Sequence, residues 1–456
     1  GFTNGYHADS VEVDFTEAAA LFHKRLVGRD WKEDDSFTFN LTAEDGTPMP
    51  KDTEGNDVTS VTVSQKGGTE DGTDVPFGFG KVTYDTVGKY SYTVTEENAG
   101  QTINGVTYSK NEAKIIVDVS DPGNGQLTAN IQSYSTIFIN EYGASLNLGA
   151  AGGLAITKTV TGHALAKEQF EFKVKAVKTD TATADEAAEL FGFKEGETEV
   201  TFKNNEAAAD GQTVTMLKTD TNFTLKNLGK VYKYEVSEMN DKKPGYTYDD
   251  TVYTVELWVT DDGDGTLTLH TKVTDEKGSV ISEETSNETD QKQTVLAFNN
   301  SYAGSGVLDG SANLAGTKKM DGPWEATDKD LSGFRFTITG GDEATNAAIT
   351  AGTVVLPQSV TATSDADGNF NFGDITFNEK GTYKFTVSEV VPAEGDKIPG
   401  VAYNAETVTI IVNVTDNDDG TLTAALAEGS QELIFTNTYA TTQDATFTPS
   451  VVKEVK

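Results

Sequence analysis

Three stretches of this 456-residue chain carry the same ordered set of signals. A threefold internal repeat constrains a fold more than composition does, because each copy must build the same folding unit. Each copy opens with a lysine four positions before a glycine: Lys24 and Gly28, Lys158 and Gly162, Lys318 and Gly322. An alternating aromatic pair follows at Phe37/Phe39, Phe170/Phe172 and Phe334/Phe336. A glycine-led run then ends in glutamate, GKYSYTVTE at Glu96, GKVYKYEVSE at Glu238 and GTYKFTVSE at Glu389. The next run enters a Gly/Asp turn, and the copy closes on Phe-x-Asn-x-Tyr at Phe138-Asn140-Tyr142, Phe298-Asn300-Tyr302 and Phe435-Asn437-Tyr439.

Short runs of period-two alternation separated by Gly/Asp/Asn turns predict an all-β chain of tandem immunoglobulin-like β-sandwiches. The expected domains are 10–143, 153–303 and 313–440, joined by the small-residue connectors SLNLGAAGG and AGSGVLDGSAN, at which hinge motion is expected. The middle copy is longer. It carries TATADEAAELFGF, a predicted helix with a Thr183–Glu186 capping box, and an extra polar stretch near 271–293; both are expected to decorate loops. At one end, residues 1–9 contain Phe2-Asn4-Tyr6, which matches the last strand of a preceding copy. At the other, residues 441–456 place Lys453 where the lysine of a following copy would stand. Asn4 to Asn140 is 136 positions and Lys318 to Lys453 is 135, so the chain reads as a segment of a longer tandem array, an elongated rod.

Charge and composition remove several function classes. Thirty-five Lys and Arg against 72 Asp and Glu give a net charge of −37, which opposes binding to nucleic acid or to an anionic membrane. There is no cysteine, so disulfides, thiolate metal sites and cysteine nucleophiles are excluded. No apolar run is long enough for a membrane span. The turns DDGDG (261–265) and DNDDG (416–420) cluster carboxylates of the kind that ligate calcium, but the distal Glu of a calcium loop is missing, so a hairpin turn is the preferred reading and calcium the alternative. His7, His23, His163 and His270 are scattered and form no ligand pair in sequence. No metal and no cofactor are expected, and no turnover-enzyme motif is present.

The chemistry comes from three polar groups that alternation turns inward. Residues two apart in a strand share a face. Phe22-Lys24-Leu26, Ile156-Lys158-Val160 and Leu314-Lys318-Met320 therefore set each lysine among apolar neighbours. Tyr92-Val94-Glu96, Tyr234-Val236-Glu238 and Phe385-Val387-Glu389 do the same for glutamate, and the Phe-x-Asn-x-Tyr segments for Asn140, Asn300 and Asn437. Lys319 competes with Lys318 and Asn299 with Asn300, but alternation and spacing select Lys318 and Asn300. The flanking Phe and Tyr are expected to be core packing. An unpaired buried charge costs several kcal/mol. Desolvation lowers a lysine pKa and raises a glutamate pKa, which favours a nucleophilic amine beside a protonated acid. The acid could polarise the asparagine carbonyl and then pass its proton to the leaving nitrogen. Attack of Nζ on Cγ would expel ammonia and leave an isopeptide amide.

At these residues the chain resembles the isopeptide-linkage (CnaB-like) domains of Gram-positive pilins and surface adhesins, three times over and across nearly its whole length. The resemblance implies that the first and last strands are neighbours, with cross-links Lys24–Asn140, Lys158–Asn300 and Lys318–Asn437 promoted by Glu96, Glu238 and Glu389. It further implies a structural stalk or shaft module, monomeric, with neighbouring repeats of a longer chain as partners. Its place would be the bacterial cell surface, anchored to the wall through a region outside this chain. The only catalysis would be single-turnover. No LPxTG sorting signal is present, and LPQSV (356–360) is not one, so polymerised pilin and single-chain adhesin both remain open. The alternative is a ligand-binding adhesin region whose second-domain insertions contact a host protein or glycan.

Overall fold

The computed structural model describes residues 2–15, 21–65, 68–209, 211–441, 449, 453 and 454. Most of the 441–456 segment thus lies outside the described residues, while Asn4 is exposed and outside any strand.

Each repeat is a two-sheet sandwich, because each alternating strand buries every second side chain against the opposite sheet. In the first, one sheet orders its strands 128–134, 112–120, 88–96, 36–43 and 60–64; the other orders them 74–77, 22–27, 137–142, 106–107 and 102–103. The second and third repeats keep this plan. Their glutamate strands, Tyr232–Glu238 and Gly381–Glu389, lie in the larger sheet, and their lysine and asparagine strands pair in the smaller one. Phe39, Phe77 and Phe138 stack between the sheets of the first repeat, and Phe336, Phe370 and Phe435 do so in the third. Full burial of one such ring stabilises by roughly 1.5–3 kcal/mol.

The lysine strand runs parallel to the asparagine strand in all three repeats, and in one register. Lys24 stands opposite Phe138, Lys158 opposite Phe298 and Lys318 opposite Phe435. Parallel neighbours cannot be joined by a hairpin, so first and last strands of each unit meet only through the complete fold. The glycine four positions past each lysine has a steric reason. Gly28, Gly162 and Gly322 have φ of 100°, 90° and 95°, and a Cβ on any of them would lie 2.2–2.5 Å from the carbonyl oxygen of Tyr142, Tyr302 or Tyr439.

Two expectations are revised. The connectors are not free hinges: Ser145–Asn147 pairs with Asn222–Thr224, and Gly306–Leu308 pairs with Ile375–Phe377. Leu146, Leu148 and Leu308 are each 1% exposed, so apolar anchors within the small-residue stretches tie them to the following repeat. The polar 271–293 stretch is also more than loop, because Val280–Ser286 adds an edge strand to the larger sheet of the second repeat. The helix at Ala184–Phe191 forms with the expected capping box, Thr183 and Glu186 each accepting from the other's backbone N–H. A further helix, Glu343–Ala351, is capped by Asp342 and ends at Gly352.

Candidate functional site

Lys24, Lys158 and Lys318 are 0–1% exposed, whereas Lys319 is exposed. Alternation on the first strand dictates this, since the side chains flanking each lysine point to the other face. Each amine meets a glutamate from the opposite sheet: Nζ of Lys24 lies 3.0 Å from Oε1 of Glu96, that of Lys158 2.8 Å from Oε2 of Glu238, and that of Lys318 3.0 Å from Oε2 of Glu389. A phenylalanine ring covers each amine, with Nζ to centroid distances of 4.5 Å at Phe37, 4.7 Å at Phe170 and 5.0 Å at Phe334. The first Phe of each aromatic pair therefore roofs the site.

The asparagine completes each cluster. Asn140, Asn300 and Asn437 are buried, and Asn299 is exposed. Each Nδ2 donates to the glutamate Oε1, at 2.8 Å for Asn140, 2.9 Å for Asn300 and 2.7 Å for Asn437. One carboxyl group thus binds both the amine and the carboxamide in every repeat.

The sequence reading missed one participant. Each asparagine Oδ1 accepts a 2.8 Å hydrogen bond from a backbone N–H, that of Ser109, Asp249 or Asn404. A backbone N–H can only donate, which orients the amide with its oxygen toward the loop and its nitrogen toward the glutamate. The carbonyl is therefore polarised by backbone, not by the carboxyl group as expected, and the glutamate faces the nitrogen. The only sequence hint was the recurrence of a Gly-x-x-Tyr segment, at Gly105, Gly245 and Gly400, just ahead of the donor.

Burial sets the electrostatics. Desolvation lowers the Lys24 amine to about 8 despite the neighbouring Glu96, and it lowers Lys158 and Lys318 as well. The same desolvation raises the Glu96 and Glu238 carboxyl groups above their ordinary range, against the pull of the lysines. Both shifts favour the neutral pair, in which the proton has moved from nitrogen to oxygen.

Two groups of residues make contacts that the sequence did not suggest, although Tyr142 and Tyr302 are buried in the core as expected. Tyr142 and Tyr302 reach out of their own repeats and donate to Asp261 and Asp416, in the acidic turns of the next repeats. His163, isolated in sequence, lies with Nε2 2.9 Å from Asp418 and 3.8 Å from Asp416. That cluster is created only by the contact between repeats.

Comparison with known proteins follows the same division of the chain. Residues 21–143, 154–303 and 314–440 each match the family described as FctA, the Spy0128-like isopeptide containing domain. Among solved structures, the major pilin from Streptococcus pyogenes is similar at 21% identity, covering 66% of this chain and 99% of its own, with a TM-score of 0.22. The shaft pilin SpaA from Lactobacillus rhamnosus GG, solved as a point mutant, is 12% identical, covering 64% and 100%, with a TM-score of 0.14. The T6 backbone pilin of serotype M6 Streptococcus pyogenes is 10% identical over 95% of this chain and 99% of its own, with a TM-score of 0.14. No curated protein sequence matches. Among the described residues, no helix is long and apolar enough to cross a membrane.

Proposed function

The chain belongs to the FctA family of Spy0128-like isopeptide containing domains, present in three successive copies, and from this premise we propose that it is a shaft or stalk module of a Gram-positive pilus or surface adhesin. Each repeat closes its own Lys–Asn isopeptide bond, with the buried glutamate as proton carrier. The observation that carries this reading is the cluster itself, which recurs three times with the same three residue types, one carboxyl group between amine and carboxamide, and distances equal within a few tenths of an ångström.

The reaction follows from the hydrogen bonds. Proton transfer from Lys Nζ to the glutamate leaves a neutral amine, and burial favours that state. The amine attacks Cγ of asparagine, and negative charge develops on Oδ1, where the backbone N–H of Ser109, Asp249 or Asn404 already points. The glutamic acid protonates Nδ2 and the resulting carboxylate takes the surplus proton from Nζ, so that the C–N bond breaks, ammonia leaves and the acid is regenerated neutral. The product amide keeps one carbonyl and one N–H, and no formal charge remains buried. Holding amine and amide against a single carboxyl group supplies the proximity that free side chains lack.

Joining the first strand to the last places the cross-link on the shortest path between the two ends of each repeat. Tension applied there loads a covalent bond and bypasses most of the sandwich. This suits an extracellular, cell-surface protein without disulfides, whose partners are its neighbouring repeats. Intact-mass measurement is the test: a deficit of three ammonia molecules is expected, with tryptic fragments pairing Lys24 with Asn140, Lys158 with Asn300 and Lys318 with Asn437. A mass equal to that of the unmodified sequence refutes the proposal.

One observation favours a second reading, a ligand-contacting role for the second repeat. Phe191, Phe193, Val200, Phe202 and Leu217 line a shallow groove beside its helix. Saturable binding of a host glycan or protein to the full chain, lost on Phe193→Ser, is the outcome that would support it.

A further inference from the structure

The tyrosine that ends each Phe-x-Asn-x-Tyr motif makes the same contact wherever another repeat follows. Tyr142 Oη donates to Asp261 at 2.7 Å and accepts from the Gly265 N–H at 3.2 Å. Tyr302 Oη donates to Asp416 at 2.7 Å and accepts from the Gly420 N–H at 3.1 Å. At the first repeat, Tyr6 donates to Asp121 at 3.0 Å and accepts from the Gly125 N–H at 3.0 Å. Three residues past each tyrosine the chain forms a parallel bridge to the residue after that glycine: Asp9 to Gln126, Ser145 to Thr266 and Ser305 to Thr421. Two glycines let the repeats close. A Cβ on Gly105 would lie 2.5 Å from the Gly265 Cα, and one on Gly245 would lie 2.8 Å from the Gly420 Cα. Phenol, carboxylate, glycine pair and bridge make one joint, fixed at several points and continuous with connectors that are themselves paired strands.

The third repeat carries the donor half of this joint already assembled. Ala440 N–H donates to the Gly400 carbonyl at 2.9 Å, as Gly143 does to Gly105 and Ala303 to Gly245. Gly400 has φ of 80° and packs on the Tyr439 ring, as Gly105 and Gly245 pack on Tyr142 and Tyr302. Tyr439 is only half-buried, against 5% exposure for Tyr142 and 8% for Tyr302, and its hydroxyl has no hydrogen-bond partner among the described residues.

We propose that Tyr439 and Gly400 form a docking surface for a further repeat of this kind, recognised by an acidic turn with Asp at the end of its long strand and Gly four positions later. The tyrosine–aspartate joint is what holds successive repeats in a fixed orientation. Its chemistry is a charge-assisted O–H···O⁻ bond backed by a backbone N–H. The proposal is independent of cross-linking, since the joint uses none of the lysine, glutamate or asparagine side chains.

The test replaces residues 441–456 with a second copy of residues 144–303, which then follows Ala440 directly and supplies the Asp261 and Gly265 turn. Because the chain has no cysteine, Glu379→Cys and, in the added copy, Glu283→Cys accept spin labels at those two sites alone. Pulsed EPR should give a narrow distance distribution across the new junction, as narrow as that of an equivalent label pair across the Tyr142 junction. Tyr439→Phe should abolish the narrow peak, and Tyr142→Phe should do so in the unextended chain. A broad distribution in the extended chain beside a narrow one at Tyr142 refutes the docking surface. A narrow peak that survives Tyr142→Phe refutes the tyrosine as the holding group. Intact mass of the same samples reports cross-linking separately, so the two readings fail independently.

Discussion

Replacing Glu238 with alanine separates the chemistry of the cross-link from its contribution to stability. The carboxyl group that touches both Lys158 and Asn300 disappears, at 2.8 Å from one and 2.9 Å from the other. Among the described residues no other carboxyl group bonds the Lys158 amine, so the second repeat should stay unlinked and the intact mass should show two lost ammonia molecules in place of three. The loop that would have closed runs from 158 to 300, and closing about 140 residues restricts the unfolded chain by about 5 kcal/mol. For a unit of this size each kcal/mol moves Tm by about 2–4 °C, so losing the bond should lower the transition of the second repeat by about 10–20 °C. Asn300→Ala isolates that contribution, because the Lys158–Glu238 pair survives. Glu238→Ala should fall further, since it also leaves a buried amine without its counterion, worth about 3–5 kcal/mol before the amine sheds its proton. Differential scanning calorimetry resolves the effect if the transitions of the first and third repeats stay in place. Full loss of three ammonia molecules in Glu238→Ala would refute the assigned proton carrier. An unchanged Tm in Asn300→Ala would refute the loop argument.

Other outcomes can be checked with the same material. Lys318→Ala should abolish the third cross-link while Lys319→Ala leaves it intact, read by peptide mapping. In Asn140→Ala, Lys24 remains a free amine that burial holds near 8 against an ordinary 10.5. The unfolded chain then binds more protons across that window, so the stability of the first repeat should rise with pH from about 8 to 10.5, by up to about 1.4 kcal/mol per unit, in urea titrations. At the junction of second and third repeats, partial burial pulls His163 down, but bonding to Asp418 and the Ala164 carbonyl and the field of Asp416 outweigh it and raise its pKa; Tyr246 and Tyr302 are its other neighbours. The imidazolium should therefore tighten that junction at acid pH, and the effect should fade as pH rises through the raised pKa; the Arg29 junction, with its guanidinium over Tyr142, should be indifferent over the same range. Label pairs across the two junctions measure the difference, and equal pH responses would exclude His163 as its source.

The lysine, glutamate and asparagine of each cluster were legible in the chain because each lies on a strand whose alternation decides which face a residue occupies. Lys318 is buried beside an exposed Lys319, and Asn300 beside an exposed Asn299, for that reason alone. The repeat reinforced this, since three copies agree where one copy would be ambiguous. The remainder depended on contacts between elements that no local period encodes. The N–H groups of Ser109, Asp249 and Asn404 sit in loops, and only the packed sandwich brings them to the asparagine oxygens. The motif tyrosines resembled core aromatics because their spacing is that of the strand; their hydroxyls find partners 119 and 114 positions away, in another repeat. His163 meets Asp418 across 255 positions. Alternation along a strand is a one-dimensional rule and can be read from a string, whereas the meeting of two loops or two repeats is set by how whole sheets stack and where each unit ends against the next.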